Sequence, residues 1–273
     1  MGEAAGIWRY PVKSAGGEAL GEARADTGGL AGDRAWACVD DQDGTIGSAK
    51  HPRRWGDLLA VRAAGEPATI EVGGALYEAG SEEADAALAE HLGRPVRLTR
   101  TAPATPRIHR MLPAEAGMVP DWLAELRPGQ ERVEEAGGHA RTGRFVDFGA
   151  VHLITTGALA GLSGRTGHPV PAERFRPNLL IDADADPEPG AELAIGDVVL
   201  RVAFRTPRCV VPSLPQDGLP ADPVVLRTLA RHYRVEVFGT GKGACFGVYA
   251  DVLRPGRLAL GARVDLVPAG RVG

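Results

Sequence analysis

The sequence predicts a mainly β protein with some α (an α+β fold), built from β-barrel-like domains that carry a few helices. Three observations predict it. Short β-compatible runs separated by glycine recur along most of the chain. Two related phrases, Glu192–Leu200 and Arg257–Leu266, each set a glycine between short strands with apolar residues at alternate positions, the hairpin pattern that builds small barrels. Helical periodicity is confined to a few brief segments.

In the first hundred residues, Ile7–Tyr10, Ala35–Asp40, Leu58–Arg62 and Ala68–Tyr77 read as strands, the last folded into a hairpin at Gly73-Gly74. Ser81 is a predicted N-cap, with Glu82 and Glu83 in the first turn and Gly93 as the stop. Ala84, Ala87, Leu88 and Leu92 form the apolar stripe of that helix, and Pro95–Arg100 reads as a closing strand. Residues 101–144 are punctuated by Pro103, Pro106, Pro113, Pro120 and Pro128, with one helix-like piece at Asp121–Leu126. This stretch reads as a connection that carries binding loops. From Phe145 the β pattern returns: Phe145–Ile154 as a strand, a short Ala/Leu helix, then the two hairpin phrases. Between those, Pro223–Tyr233 is an amphipathic helix with Val224, Leu226, Leu229 and Ala230 as its inner face. The expected division is therefore 1–100, a connecting 101–144, and 145–273.

The 273 residues are 44% hydrophobic and 24% charged, which suits a globular chain with a real core. No apolar run is long enough to span a bilayer, and the N-terminus shows neither a basic start nor an apolar stretch. A cytoplasmic protein with no membrane attachment is expected. Three cysteines and no Cys-x-x-Cys exclude a disulfide framework and local zinc-ribbon or ferredoxin motifs. A net charge of −4 argues against a nucleic-acid partner. Arginines nevertheless cluster at Arg53/Arg54, Arg141/Arg144, Arg174/Arg176 and Arg205/Arg208, and such patches can hold an anion on an acidic protein.

Cys209 lies in Arg205-Thr-Pro-Arg-Cys-Val-Val-Pro212, just past a predicted strand. Arg205 and Arg208 would stabilise a thiolate there, which is a soft metal ligand; equally, an isolated cysteine can be a small buried hydrophobe. Cys38 and Cys245 sit inside apolar runs and read as core. Lys13-Ser14, at a strand end that turns into Ala15-Gly16-Gly17, suits an oxyanion, although an exposed turn fits as well. It lacks the glycine spacing of a P-loop. Asp33-Arg34 reads as an ion pair. Arg176 and Asn178 flank Pro177 before an apolar run, a pairing suited to a flat heterocycle or a phosphate. The histidines show no His-x-x-x-His or His-Glu-x-x-His spacing, no Gly-x-Ser-x-Gly elbow occurs, and no carboxylate couple stands out.

Five segments occur in one order: Tyr10-Pro-Val-Lys-Ser14, Gly32-Asp-Arg-Ala-Trp36, Ser48-Ala-Lys-His-Pro52, Arg174-Phe-Arg-Pro-Asn178 and Thr206-Pro-Arg-Cys209. In that order they resemble MOSC proteins. The nearest likeness is to those with an N-terminal MOSC β-barrel domain, such as the mitochondrial amidoxime reducing component and its bacterial relatives. The resemblance runs from about Ile7 to Val267. It implies an N-terminal MOSC β-barrel domain followed by a MOSC domain, with a molybdenum cofactor held between them. It also implies that Cys209 ligates molybdenum beside the two dithiolene sulfurs of a pterin, and that Lys13, Ser14, Arg34, Arg176 and Asn178 hold the pterin and its phosphate. Thr155 matches a position in the cofactor loop often taken by serine. Lys50 stands where relatives often carry arginine, a change that loses a bidentate donor fork.

The resemblance implies a reductase of N-hydroxylated small molecules. The chain shows no cysteine cluster for an appended iron–sulfur domain, so electrons are expected from a separate donor protein. Two other functions remain open at this stage: sulfur transfer through a Cys209 persulfide, and a non-catalytic cofactor carrier.

Overall fold

The computed structural model describes residues 2–136, 142–237 and 239–267. Arg141 and His139 lie outside the described residues. The first half contains strands β1 (Ala4–Arg9), β2 (Glu18–Ala19), β3 (Glu22–Asp26), β4 (Gly29–Leu30) and β5 (Ala37–Asp40), then the single turn α1 (Pro52–Trp55). Strands β6 (Arg62–Ala64), β7 (Thr69–Val72) and β8 (Ala75–Glu78), helix α2 (Glu82–Leu92) and β9 (Val96–Thr99) complete it. A hairpin of β10 (Arg107–Met111) and β11 (Glu131–Glu135) follows. The second half runs β12 (Val151–Thr155), α3 (Thr156–Thr166), β13 (Leu179–Ile181), β14 (Glu192–Ile195), β15 (Val198–Pro207), α4 (Pro223–His232), β16 (Arg234–Glu236), β17 (Lys242–Arg254), β18 (Gly256–Ala259) and β19 (Val264–Val267).

The principal sheet runs β19-β14-β15-β17-β12-β13-β1-β2, with β16 also paired to β17. Its interior is aliphatic: Ile7, Leu153, Leu179, Leu193, Leu200 and Val248 are all buried in one cluster. Strands β12 and β13 are parallel, joined by a crossover through α3. The N-terminal strand β1 pairs antiparallel with β13, and β18 near the other end pairs antiparallel with β3. The two halves therefore exchange strands rather than sit side by side. The first half has its own core around Trp55, Leu58, Ile70 and Leu88.

Local sequence accounts for most elements. Gly73-Gly74 turns β7 into β8, both glycines at positive φ. The Ser81 Oγ accepts from the Ala84 amide, three acidic residues fill the first turn of α2, and Gly93 closes it at φ 63°. Asp222 caps α4 ahead of Pro223.

Several expectations are corrected. Leu58–Arg62 is mostly a 3-10 helix (Gly56–Ala60), because Leu58 and Leu59 both turn into the core where a strand would bury alternate residues. Phe145–Gly149 is irregular, and the strand begins only at Val151. In α4 Leu226, Leu229 and Ala230 are buried as expected, but Val225 is buried where Val224 was expected to be. The Gly196 phrase is a hairpin of β14 and β15. The Gly261 phrase is not: β18 joins β3 while β19 joins β14, so its two strands diverge into different sheets. The connecting stretch holds the β10–β11 pair, whose alternating charged residues do not read as strands.

Candidate functional site

Residues 10–13 run beside 34–36, bonded through Arg34 N to Tyr10 O at 2.7 Å, Trp36 N to Pro11 O at 3.0 Å and Lys13 N to Trp36 O at 2.8 Å. Asp33, fully buried, accepts the Tyr10 amide at 2.8 Å and pairs with the Arg34 guanidinium. This ladder sets Lys13, Ser14 and Arg34 along one wall of a cavity. The opposite wall comes from the second half. A short 3-10 turn (Ala172–Phe175) ends at Arg176, and β13 follows Asn178. Strand β15 runs out at Pro207 and delivers Arg208 and Cys209 to the same space.

Of the residues singled out from sequence, Lys13, Ser14, Arg34, Arg176, Asn178 and Cys209 all line this one cavity. Thr155 does not. It caps α3 by accepting from the Ala158 amide and donates to Asp186 Oδ1 at 2.9 Å, so its hydroxyl serves the fold. Arg205 also leaves the thiol, pairing with Glu188 at 2.6 Å on another face. Arg54 is taken up by Asp40 and Asp43, and Arg144 by Asp26.

Among the described residues, three non-glycine residues have positive φ: Ser14 at 65°, Arg34 at 46° and Arg176 at 53°. All three line the cavity. Left-handed backbone costs an L-residue about 1 kcal/mol or more and persists where a site needs the side chain aimed that way. Their clustering marks the cavity as built for a purpose.

The electrostatics are one-sided. Seven lysines and arginines line the cavity (Lys13, Arg34, Lys50, Arg110, Arg174, Arg176 and Arg208) against one carboxylate among the described residues, Asp147. Asp147 takes Lys13 at 2.7 Å and Lys50 at 2.9 Å, and although burial opposes it, the two ammonium groups hold its carboxyl well below the usual range. Burial lowers the Lys13 ammonium, with Asp147 pulling the other way. Lys13 also donates to Phe145 O at 3.0 Å. Arg34 and Arg176 both lie over the Tyr10 ring, 4.8 and 4.4 Å from its centroid, and Arg34 donates to Arg176 O at 3.0 Å. Burial and the neighbouring Arg34 charge bring Arg176 down to about 10. Its Nη2 is buried and has no partner. A buried guanidinium nitrogen without an acceptor is costly, and an anion in the cavity would satisfy it.

Asn178 is spent within the protein: its Oδ1 accepts the His152 amide at 3.0 Å and its Nδ2 donates to Trp8 O at 3.3 Å. It braces β12 against β1 and so fixes the wall rather than offering a free amide. Ser14 Oγ accepts the Ala49 amide at 3.0 Å, which keeps its O–H available as a donor. Arg208 donates to Phe246 O at 2.8 Å and faces His152 Nε2. Burial and the Arg208 and Arg34 charges hold His152 well below the usual imidazole range, so it is neutral and accepts at Nε2.

Sequence reasoning missed Asp147, His152, Tyr249 and Trp122, all of which line the cavity. The available signal was faint: a polar tip at His152 and at Tyr249 inside otherwise apolar strands. Cys209 is half-buried and free, whereas Cys38 and Cys245 are buried. Among the described residues no group of three or more His, Cys, Asp or Glu side chains could hold a metal ion. Nor is any described helix long and apolar enough to cross a membrane.

The MOSC domain family matches residues 140–265, and the MOSC N-terminal beta barrel domain matches residues 1–90. Mitochondrial amidoxime-reducing component 1 of Homo sapiens is 25% identical over 98% of this chain and 83% of its own length. The Mus musculus protein of the same name is 24% identical over the same shares, and mitochondrial amidoxime reducing component 2 of Rattus norvegicus is 24% identical over 96% of this chain and 82% of its own. With two family matches that together leave only residues 91–139 and the last few uncovered, and relatives alike over nearly its whole length, the chain belongs to the MOSC-domain family, in the form that carries an N-terminal MOSC β-barrel domain.

Proposed function

We propose that this protein is a molybdenum-cofactor-dependent oxidoreductase that reduces N-hydroxylated compounds, with Cys209 as the protein ligand to the metal. The observation that carries the reading is the cavity's donor set: seven cations, one carboxylate and one accessible thiol. No other metal-binding cluster is present among the described residues, so a metal here would arrive with most of its ligands. An anionic cofactor that brings its own sulfur donors and takes one soft thiolate from the protein meets both conditions. The orphaned Arg176 Nη2 fits its negative charge. The relatives named amidoxime-reducing components favour this reductive chemistry.

When bound, the cofactor supplies two-electron oxygen-atom chemistry. The chain's part is to bind and orient. Arg176, Arg34 and the Ser14 hydroxyl offer donors to the anionic portion. Lys13 and Lys50 are held back by Asp147, which leaves them as fixed positive charge rather than free hooks. Arg208, braced by Phe246 O and neutral His152, keeps a cation beside the thiol. The net reaction consumes two electrons and two protons per N–O bond and releases the amine-level product and water. We place the electrons with a separate donor protein and the protein itself in the cytoplasm.

The test is turnover of a panel of amidoximes, hydroxylamines and N-oxides by cofactor-loaded protein with a chemical reductant. Loss of substrate with stoichiometric reduced product supports the reading. A loaded protein that reduces none of the panel contradicts it and favours sulfur transfer, which the half-buried Cys209 could also perform as a persulfide.

A further inference from the structure

Six large hydrophobic side chains are exposed among the described residues, and of these only Phe148 lines the cavity. It is 37% exposed on the segment just before β12, where an apolar ring facing water carries a cost unless something covers it. Phe148 does not stand alone. Phe204 on β15, Tyr249 on β17 and His152 on β12 are directly paired across three adjacent strands. Paired positions share a sheet face, so their rings form a row, with centroids 5.5 and 5.4 Å from Tyr249. Phe148 closes onto this row, 6.2 Å from Phe204 and 6.3 Å from Tyr249. Gly149 allows the approach, since a Cβ there would meet Tyr249 Cβ at 2.6 Å. The Lys50 ammonium lies 5.5 Å from the Phe148 centroid.

Phe148, Tyr249 and His152 of this group line the cavity, Phe204 packs against the first two, and cations line the remaining wall. Such a surface suits a flat, neutral ring. One face or edge meets Phe148 and Tyr249, and the π-density tolerates the nearby ammonium and guanidinium groups. A cationic aliphatic substrate would meet repulsion from the lysines and arginines of the other wall, which outnumber the ring faces it could sit on. We propose that Phe148 and Tyr249 form a stacking wall that selects N-hydroxylated substrates with a flat aromatic body, and that Phe148 determines this specificity. The proposal rests on the reductase reading given above.

The test uses cofactor-loaded protein with benzamidoxime and acetamidoxime, which share the reacting group and differ in the ring. The readout is the ratio of their kcat/KM values. In Phe148→Ala this ratio falls about three- to tenfold, the worth of one aromatic pairing. Phe148→Leu, which keeps bulk without a ring, shows most of the same fall, while Phe148→Tyr keeps the ratio near that of the parent. A ratio unmoved in Phe148→Ala, or fully retained in Phe148→Leu, overturns the stacking role. Binding of the two amidoximes without reductant, followed by calorimetry, separates this idea from the reductase reading. Tighter binding of the aromatic compound that disappears in Phe148→Ala upholds the wall even where no turnover occurs. Equal binding of both compounds to the parent protein removes it.

Discussion

Lys13 Nζ lies 2.7 Å from Asp147 Oδ1, an ion pair that ties the N-terminal strand end to the loop ahead of β12. Lys50 shares the same oxygen at 2.9 Å, so one carboxylate holds two buried ammonium groups from the first half of the chain and leaves the cluster with a net positive charge. The pair is the electrostatic latch of the cavity.

Asp147→Asn leaves both lysines without a counter-charge, and removing one partner of a buried pair costs about 3 kcal/mol. The carboxyl is depressed in the folded state, so its stabilisation is present above the unfolded carboxylate range and lost as pH falls below about 4. Denaturant unfolding is expected to show the variant less stable than the parent at neutral pH, with the gap closing in acid. A constant gap across that range would show that charge is not its cause.

The three thiols differ in access. Burial pushes Cys38 up to about 12 and Cys245 up to about 11, and both are buried, Cys38 completely. Native cofactor-free protein treated with a colorimetric thiol reagent near neutral pH is expected to titrate one thiol. That thiol disappears in Cys209→Ala. Two or three fast-reacting thiols would contradict the assignment of the others to the core.

Arg176 separates binding from folding. Its left-handed backbone and unpartnered Nη2 are costs that offset what its guanidinium gains over the Tyr10 ring. Arg176→Gly relieves the backbone and removes the buried charge, and its unfolding free energy is expected within about 1 kcal/mol of the parent. Cofactor content after purification should fall severalfold. A variant that unfolds but keeps its cofactor would reverse the account.

His152 is neutral when folded because burial and two guanidinium charges depress it, whereas the unfolded imidazole takes up a proton near pH 6.5. The unfolded chain therefore binds more protons in acid, and stability falls as pH drops below about 6.5, by up to about 1.4 kcal/mol per unit. Above that range the group contributes no pH dependence. Unfolding measured at several pH values is expected to show a shallower acid slope in His152→Leu. Identical slopes would mean that His152 is already protonated in the fold.

Local patterns were legible where a single element decides its own conformation. The Gly73-Gly74 hairpin, the Ser81–Gly93 helix and the Gly196 hairpin follow from turn and cap chemistry alone. Lys13, Arg34, Arg176 and Cys209 were legible because short polar motifs interrupt strand ends, and the structure gathers them. What depended on partners was not legible. The Gly261 phrase has hairpin chemistry, yet β18 is captured by β3 and β19 by β14. Thr155 matches a loop position by sequence, but Asp186 and the start of α3 claim its hydroxyl. Asp147 joins the site through Lys13 and Lys50, and Tyr249 through strand pairings with His152 and Phe204, partners distant in sequence that no local spacing announces.

The central claim is that Cys209 holds molybdenum in this cavity. Elemental analysis of protein purified from a cofactor-competent host, beside Cys209→Ala from the same host, tests it most directly. The account predicts near-stoichiometric molybdenum and pterin in the parent protein and a marked loss of the metal in the variant. A parent free of molybdenum and pterin, from a host that loads a known molybdoenzyme, would contradict it, as would a variant that retains the metal in full.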